Sequence, residues 1–250
     1  RREKIAELGD LFFQEYPEND LDCWLSSELA VFDGVALRRY MMECTKGRQE
    51  GNLTIWKDAI GGEKYVIGVD TAGGHEKGDY SVASVLRVRT NEYVARLRGR
   101  MPPDFFADEV LRLGQRYNRA TLAVEKESFG QVVLHILLQN NYPNIFHYQD
   151  YDAFMGVAVG KPGWVTSLKT KPRMISTLAA AIRSGDIILW SENFCNEASG
   201  YVWIEGDRKA TKTSGGYDDE LDAVMIALQV KEDAPLLDVP RMRPVSYARI

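Results

Sequence analysis

The apolar positions of this chain change rhythm along its length. Through residues 1–60 they follow no sustained period, and Tyr16-Pro17 and Phe32-Asp33-Gly34 punctuate a mixed, partly helical stretch. We expect it to be a leading segment that packs on, or links to, a main domain at 61–232, with 233–250 as a tail. From Tyr65 the rhythm is that of strands. Tyr65-Val66-Ile67-Gly68-Val69 is β-rich, and Asp70 with the turn-forming Thr71-Ala72-Gly73-Gly74 closes it. Tyr80 to Val88 and Tyr93 to Arg98 read as a second and third strand, and the short link Arg89-Thr90-Asn91-Glu92 favours antiparallel pairing.

The period then lengthens. Phe106, Val110, Leu113 and Tyr117 mark an amphipathic helix entered through Pro102-Pro103. Thr121–Val124 is a short buried strand ending at Glu125, Phe129–Leu138 a nearly all-apolar helix, and Asn144–Tyr148 a further strand. A helix after Lys171-Pro172 carries Met174, Ile175, Leu178, Ala179 and Ile182 as its stripe and stops at Gly185. Ile187–Trp190 reads as a strand, Gly200–Thr213 as a hairpin, and Asp218 to about Val230 as the last helix. No internal repeat is visible. Three antiparallel strands followed by alternating helices and strands predict an α/β domain with a mixed sheet. The order is the ribonuclease-H-like one, with the first strand mid-sheet, between the hairpin strands and the first parallel strand.

Composition narrows the class. With 45% hydrophobic and 27% charged residues in 250, the chain is globular; disordered, collagen-like and coiled-coil classes are excluded. No apolar run approaches the ~18–20 residues of a membrane span. The opening Arg-Arg-Glu-Lys is no signal peptide, and without an initiator Met it reads as a fragment of a longer chain. Cys23, Cys44 and Cys195 are odd in number and far apart, which predicts reduced thiols in a cytoplasmic setting. Three scattered histidines and no cysteine cluster argue against structural zinc.

The net charge of −5 argues weakly against nucleic acid, but the positive charge is patterned. One run holds Arg87, Arg89, Arg96, Arg98 and Arg100, another Lys161, Lys169, Lys171 and Arg173, a third Arg208, Lys209 and Lys212. Each could be a solvated face; three such runs around an acidic centre point to more. Gly156-Val-Ala-Val-Gly160-Lys161-Pro162 is a poor phosphate loop, one residue short and lacking the Ser or Thr that would hold Mg²⁺, so we expect no ATP binding or hydrolysis.

The acids carry the chemistry. Asp70 and Glu125 end two strands that the predicted topology makes neighbours, at the sheet edge where open α/β folds build sites. Asp218, Asp222 and Asp219 fall near about 0°, 40° and 100° on a helical wheel, beside the buried stripe of Leu221, Val224, Met225 and Leu228. Asp79 returns after the glycine turn. Singly, each acid is an ordinary turn, surface or helix-start residue. Jointly they converge with no cation in the motif cores, and like charges so placed repel unless a divalent metal relieves them. Carboxylate oxygens suit Mg²⁺ or Mn²⁺, and two such ions can clamp a phosphodiester displacement.

These motifs carry a resemblance. Val-Ile-Gly-Val-Asp70-Thr-Ala-Gly-Gly…Gly-Asp79-Tyr-Ser-Val, Leu-Ala-Val-Glu125-Lys-Glu-Ser-Phe-Gly130, Gly-Trp164-Val-Thr…Thr170-Lys171-Pro and Gly216-Tyr-Asp218-Asp219-Glu-Leu-Asp222-Ala, in order, closely resemble the nuclease domain of tailed-phage large terminase subunits over about residues 62–230. Residues 10–35 resemble the stretch leaving the packaging ATPase domain, which would precede this chain. Two positions depart from the family: Glu127 stands where Asn is frequent, and Tyr217 where His is, leaving an acid/base role unassigned.

The resemblance implies a metal-dependent endonuclease that cuts concatemeric viral double-stranded DNA in the host cytoplasm, with the portal protein and small terminase subunit as partners. It implies that Asp70 bridges two ions, Mg²⁺ or Mn²⁺, with Glu125 and Asp219 completing the triad. Asp79, Asp218 and Asp222 would be auxiliary, Gly73 and Gly74 would admit a close backbone, and Lys169, Lys171, Arg208, Lys209 and Lys212 would meet phosphates. Other readings are a resolvase or transposase of the same fold, or an inactive DNA- or portal-docking module. A sugar-kinase or actin-like ATPase would need a second Asp-Gly phosphate loop and a larger second lobe, and neither is found.

Overall fold

A six-stranded mixed sheet covered on both faces forms the framework. The computed structural model describes residues 29–152, 157–204, 210–213 and 215–231. The strands are β1 (Arg48–Glu50), β2 (Leu53–Ile55), β3 (Tyr65–Asp70), β4 (Ser81–Arg87), β5 (Glu92–Gly99) and β6 (Thr121–Val124), in the order β1-β2-β5-β4-β3-β6. β3 pairs antiparallel with β4 and parallel with β6, so the first long strand does lie mid-sheet. Val and Ile fill β3 and β4 on both sides, as in a sheet buried on both faces.

Helices α1 (Gly34–Glu43), α4 (Thr170–Ser184), α5 (Glu192–Ser199) and α6 (Asp219–Val230) cover one face, around Leu37, Leu178, Phe194 and Leu221. Helices α2 (Pro103–Arg116) and α3 (Gly130–Gln139) cover the other, around Phe106, Val110, Val133 and Leu137. α6 is apolar almost all round because it is the central helix of its layer. It lies so close to β3 that a Cβ on Gly68 would stand 1.9 Å from the Ala223 carbonyl oxygen.

The stretch before residue 60 contributes structure of its own. The Asp33 carboxylate caps α1 by accepting from the Ala36 N–H (2.9 Å), and β1 and β2 extend the sheet beyond β5. Those strands are three residues each, too short to show alternation in the sequence.

Two expected strands are corrected. Asn144–Tyr148 is not one strand: Asn144 and Phe146 hydrogen-bond beside Leu122, then the chain peels away as β7 (His147–Asp152), which pairs antiparallel with β8 (Val157–Pro162). Ile187–Trp190 forms only a bridge from Ile188 to Glu92, through Ile188 N–H to the Asn91 carbonyl and Tyr93 N–H to the Ile188 carbonyl. β2 reaches only Ala95, so this open end of β5 accepts one residue before Ser191 caps α5. The expected hairpin is present as β9 (Tyr201–Trp203) and β10 (Ala210–Lys212). Arg208, Lys209, the tail after Lys231 and Gly156 of the poor phosphate loop lie outside the described residues.

Candidate metal centre

The site begins where two strands stop. Val69 pairs with Val124 in parallel register and the Glu125 N–H donates to the Val69 carbonyl (2.9 Å), which sets Asp70 and Glu125 at adjacent strand ends. Beyond burial, the Glu125 carboxyl is close enough to help push the Asp70 carboxyl up. The third contribution comes from α6, held against β3 by the Gly68 approach. Asp219 opens that helix, and its Oδ2 accepts from the Tyr80 N–H (3.1 Å). Asp222 follows one turn on.

A cleft of about 410 Å³ opens here, walled by Asp70, Asp79, Asp218 and Asp219 with His75 and Phe129. A larger groove of about 960 Å³ lies at the other end of the sheet, beside Arg89, Arg183 and Lys231, and holds no such cluster of acids. At the cleft floor the Asp70 carboxyl is pushed well above the usual range, first by burial and then by Glu125, Asp222 and Asp219. Burial raises Asp219 to about 6 against the Tyr80 N–H. Burial also raises Asp222 to about 6, against Lys171.

Two cations enter this acidic centre, which corrects the expectation of carboxylates without a cation. Lys171 Nζ stands 2.6 Å from both Asp222 oxygens. Burial works against its charge, but Asp222 outweighs it and raises the pKa. Lys212 Nζ reaches Asp218 Oδ1 (2.9 Å) and Asp79 Oδ1 (3.3 Å). Both lysines, expected at phosphates, therefore have carboxylate partners, while Lys169 is exposed at the start of α4.

The arginine run is likewise not a free basic face. Arg87 pairs with Glu92 (3.0 Å), Arg89 with Glu63 (2.7 Å) and Arg96 with Glu220 (2.8 Å). Arg98 approaches Glu197 (3.8 Å) and lies 3.5 Å above the Tyr80 ring centroid. Arg100 lies 4.0 Å from the same centroid and donates to the Tyr217 hydroxyl (2.9 Å) and the Gly78 carbonyl (2.9 Å). Tyr217 therefore braces the cleft wall through Arg100 and an edge contact with Tyr80. Gly73 and Gly74 have local reasons to be glycine: a Cβ would meet the Phe129 ring at 2.8 Å and the Met101 carbonyl oxygen at 2.5 Å, and Gly74 has φ +77°.

Sequence reasoning missed the acid between the aspartates. Glu220 is fully buried, and its carboxylate accepts from Arg96, from Asn193 Nδ2 (2.7 Å) and from the Tyr93 hydroxyl (3.1 Å). The signal was there: two residues past Asp218, a glutamate falls near about 200° on the wheel, toward the apolar stripe.

Among the described residues, no three His, Cys, Asp or Glu side chains form a ready metal cage. The donor set nevertheless fits a hard divalent cation. It is all oxygen, and Asp70 and Glu125 end adjacent strands, where a cation between the two carboxylates would relieve their like charge.

The family description "Terminase RNaseH-like domain" matches residues 67–231. Among solved structures, the large terminase nuclease from thermophilic phage G20c with bound magnesium superposes with a TM-score of 0.65 at 19% identity, over 81% of this chain and 98% of that one. The cobalt-bound form of that nuclease gives the same values. The Thermus phage P74-26 large terminase nuclease domain gives 0.63 at 19% identity, over 80% and 95%. At these identities the likeness establishes the ribonuclease-H-like fold. No curated protein matches the chain.

Proposed function

This chain belongs to the terminase RNaseH-like domain family, and on that basis we propose that it is a metal-dependent endonuclease cutting double-stranded viral DNA during genome packaging. The observation that carries the reading is the meeting of Asp70 and Glu125 at adjacent strand ends, with Asp219 and Asp222 near enough to push the Asp70 carboxyl up.

Asp70, Glu125 and Asp219 would hold two divalent ions, Mg²⁺ or Mn²⁺. The magnesium and cobalt bound by the G20c nuclease support a divalent metal here. When bound, such ions would supply positive charge at the phosphodiester and make an attacking water easier to deprotonate. The chain's own residues do the rest. The Tyr80 N–H fixes the Asp219 carboxylate, and the stack of Arg98 and Arg100 on Tyr80 holds that backbone in place. Lys171 keeps Asp222 charged and turned to one side, which gives Asp222 an orienting role. Lys212 pairs with Asp218 and Asp79 and orients them at the rim. Tyr217 stands where the family often has His, and its hydroxyl is engaged with Arg100, so its work is bracing.

DNA would approach across the cleft, with Lys169 and the β9–β10 hairpin as phosphate contacts. Packaging power would come from an N-terminal ATPase domain, with the portal and small terminase subunit as further partners in the host cytoplasm. No helix among the described residues is long and apolar enough to cross a membrane. The test is plasmid nicking with Mn²⁺ or Mg²⁺. We expect Asp70→Asn and Asp219→Asn to reduce nicking to background, and EDTA to abolish it in the wild type. Full cleavage by Asp70→Asn, or cleavage persisting in EDTA, would overturn the reading.

A further inference from the structure

The first amides of any helix lack partners within it, and an N-cap side chain ordinarily accepts from those of the second and third helical residues. Asp218 occupies the N-cap of α6 and is of a residue type that performs this task well, yet its side chain makes no cap bond. Its carboxylate is turned to Lys212 instead. The two amides are satisfied from another helix: Glu197 Oε2, on α5, accepts the Glu220 N–H (2.9 Å) and the Leu221 N–H (3.0 Å).

Glu197 is built for that position. It is 6% exposed, its Oε1 accepts from Asn193 Nδ2 (2.9 Å), and Arg98 approaches the same oxygen at 3.8 Å. Asn193, one turn earlier on α5, also holds the Glu220 carboxylate, so one face of α5 grips both the backbone and the side chain of the first turn of α6. Its hydrogen-bond partners are all donors, while burial and then the nearby Glu220 carboxylate push its carboxyl up to about 8.

We propose that Glu197 is a positioning residue: it caps α6 in place of Asp218 and so leaves the Asp218 and Asp219 carboxylates turned toward the cleft. The inference rests on the nuclease reading for what those carboxylates do, and on geometry alone for the cap. Without Glu197 the two amides lose their acceptor while Lys212 still holds Asp218, so the first turn of α6 frays and the cleft carboxylates lose their fixed placement.

The test has two arms on the full chain. In EDTA, amide exchange measured by NMR should quicken at Glu220 and Leu221 in Glu197→Ala and slow again in Glu197→Ala/Asp218→Ser, where serine can cap. Unchanged exchange in Glu197→Ala overturns the proposal. In the second arm, Mn²⁺ binding by calorimetry and plasmid nicking are read beside thermal melts. Glu197→Ala should weaken Mn²⁺ binding about tenfold to a hundredfold, the usual effect of losing a partner behind the ligands. The serine double variant should regain melting temperature but not Mn²⁺ affinity. Glu197→Gln, which keeps an acceptor oxygen, should retain more affinity than Ala and keeps the test open should Ala fail to fold. A lower melting temperature with wild-type Mn²⁺ affinity would leave Glu197 a merely structural acid and overturn the proposal alone. Absence of Mn²⁺ binding and nicking in the wild type would overturn the nuclease reading and the proposal with it.

Discussion

The first turn of α6 carries four acids, and they meet opposite surroundings. Glu220 points inward and is matched by Arg96, Asn193 and Tyr93. Asp218 and Asp219 line the cleft and Asp222 lies beside them on Lys171; two lysines and one backbone amide face the three, and other carboxylates crowd in. A buried charge that donors surround is architecture: it fixes the helix and asks for nothing more. Acids crowded by acids, with Asp219 and Asp222 pushed up to about 6, remain short of positive charge, and that shortage is what a divalent ion would relieve.

Removing one acid from each side gives the sharpest contrast. Glu220→Ala leaves Arg96 buried without its carboxylate and should cost about 3–5 kcal/mol in urea or thermal unfolding. Asp219→Asn should shift stability by less than about 1 kcal/mol while ending metal-dependent nicking, since it relieves like-charge repulsion. Similar stability losses for the two would erase the distinction between the inner and outer acids. Gly68→Ala tests the packing beneath both. Its methyl would collide with the Ala223 carbonyl, so it should cost about 1–3 kcal/mol and weaken nicking by lifting α6 off β3.

A smaller effect should appear with pH. Asp219 and Asp222 rise from 3.8 to about 6 in the metal-free fold. Their contribution to stability is therefore present in full below the unfolded value and is lost as pH rises through about 6. Melting temperature in EDTA should fall between pH 5 and 7.5, and Asp219→Asn should flatten the curve. A rise over that range would contradict the raised values. The smallest effect belongs to the exposed lysine. Lys169→Glu should leave stability within about 0.5 kcal/mol and shallow the salt dependence of DNA binding by about one counterion. Lys171→Glu should destabilise measurably, because Asp222 would face a like charge.

The sequence made the sheet order and the outer acids legible because both follow local rules. Strand ends and helix starts mark where Asp70, Glu125 and Asp219 sit, and short links set β3, β4 and β5. What stayed hidden depended on partners distant in the chain. Arg96 and Arg98 read as part of a basic surface because their acids, Glu220 and Glu197, lie about a hundred residues later or more, beyond the reach of any periodicity. Lys171 read as a phosphate contact for the same reason. β1 and β2, three residues each, are too short for alternation to register.

The close seat of α6 on β3 also sets a schedule for synthesis. The strand bearing Asp70 and the helix bearing Asp219 are about 150 residues apart, so their contact is among the latest a growing chain can make. Until α6 has left the ribosome, Val66 and Leu86 lack the central helix of their layer and the acidic cluster lacks its third member. A partly synthesised chain therefore carries an exposed, aggregation-prone sheet and an incomplete centre. On the nuclease reading, cutting activity would arrive only with a finished fold.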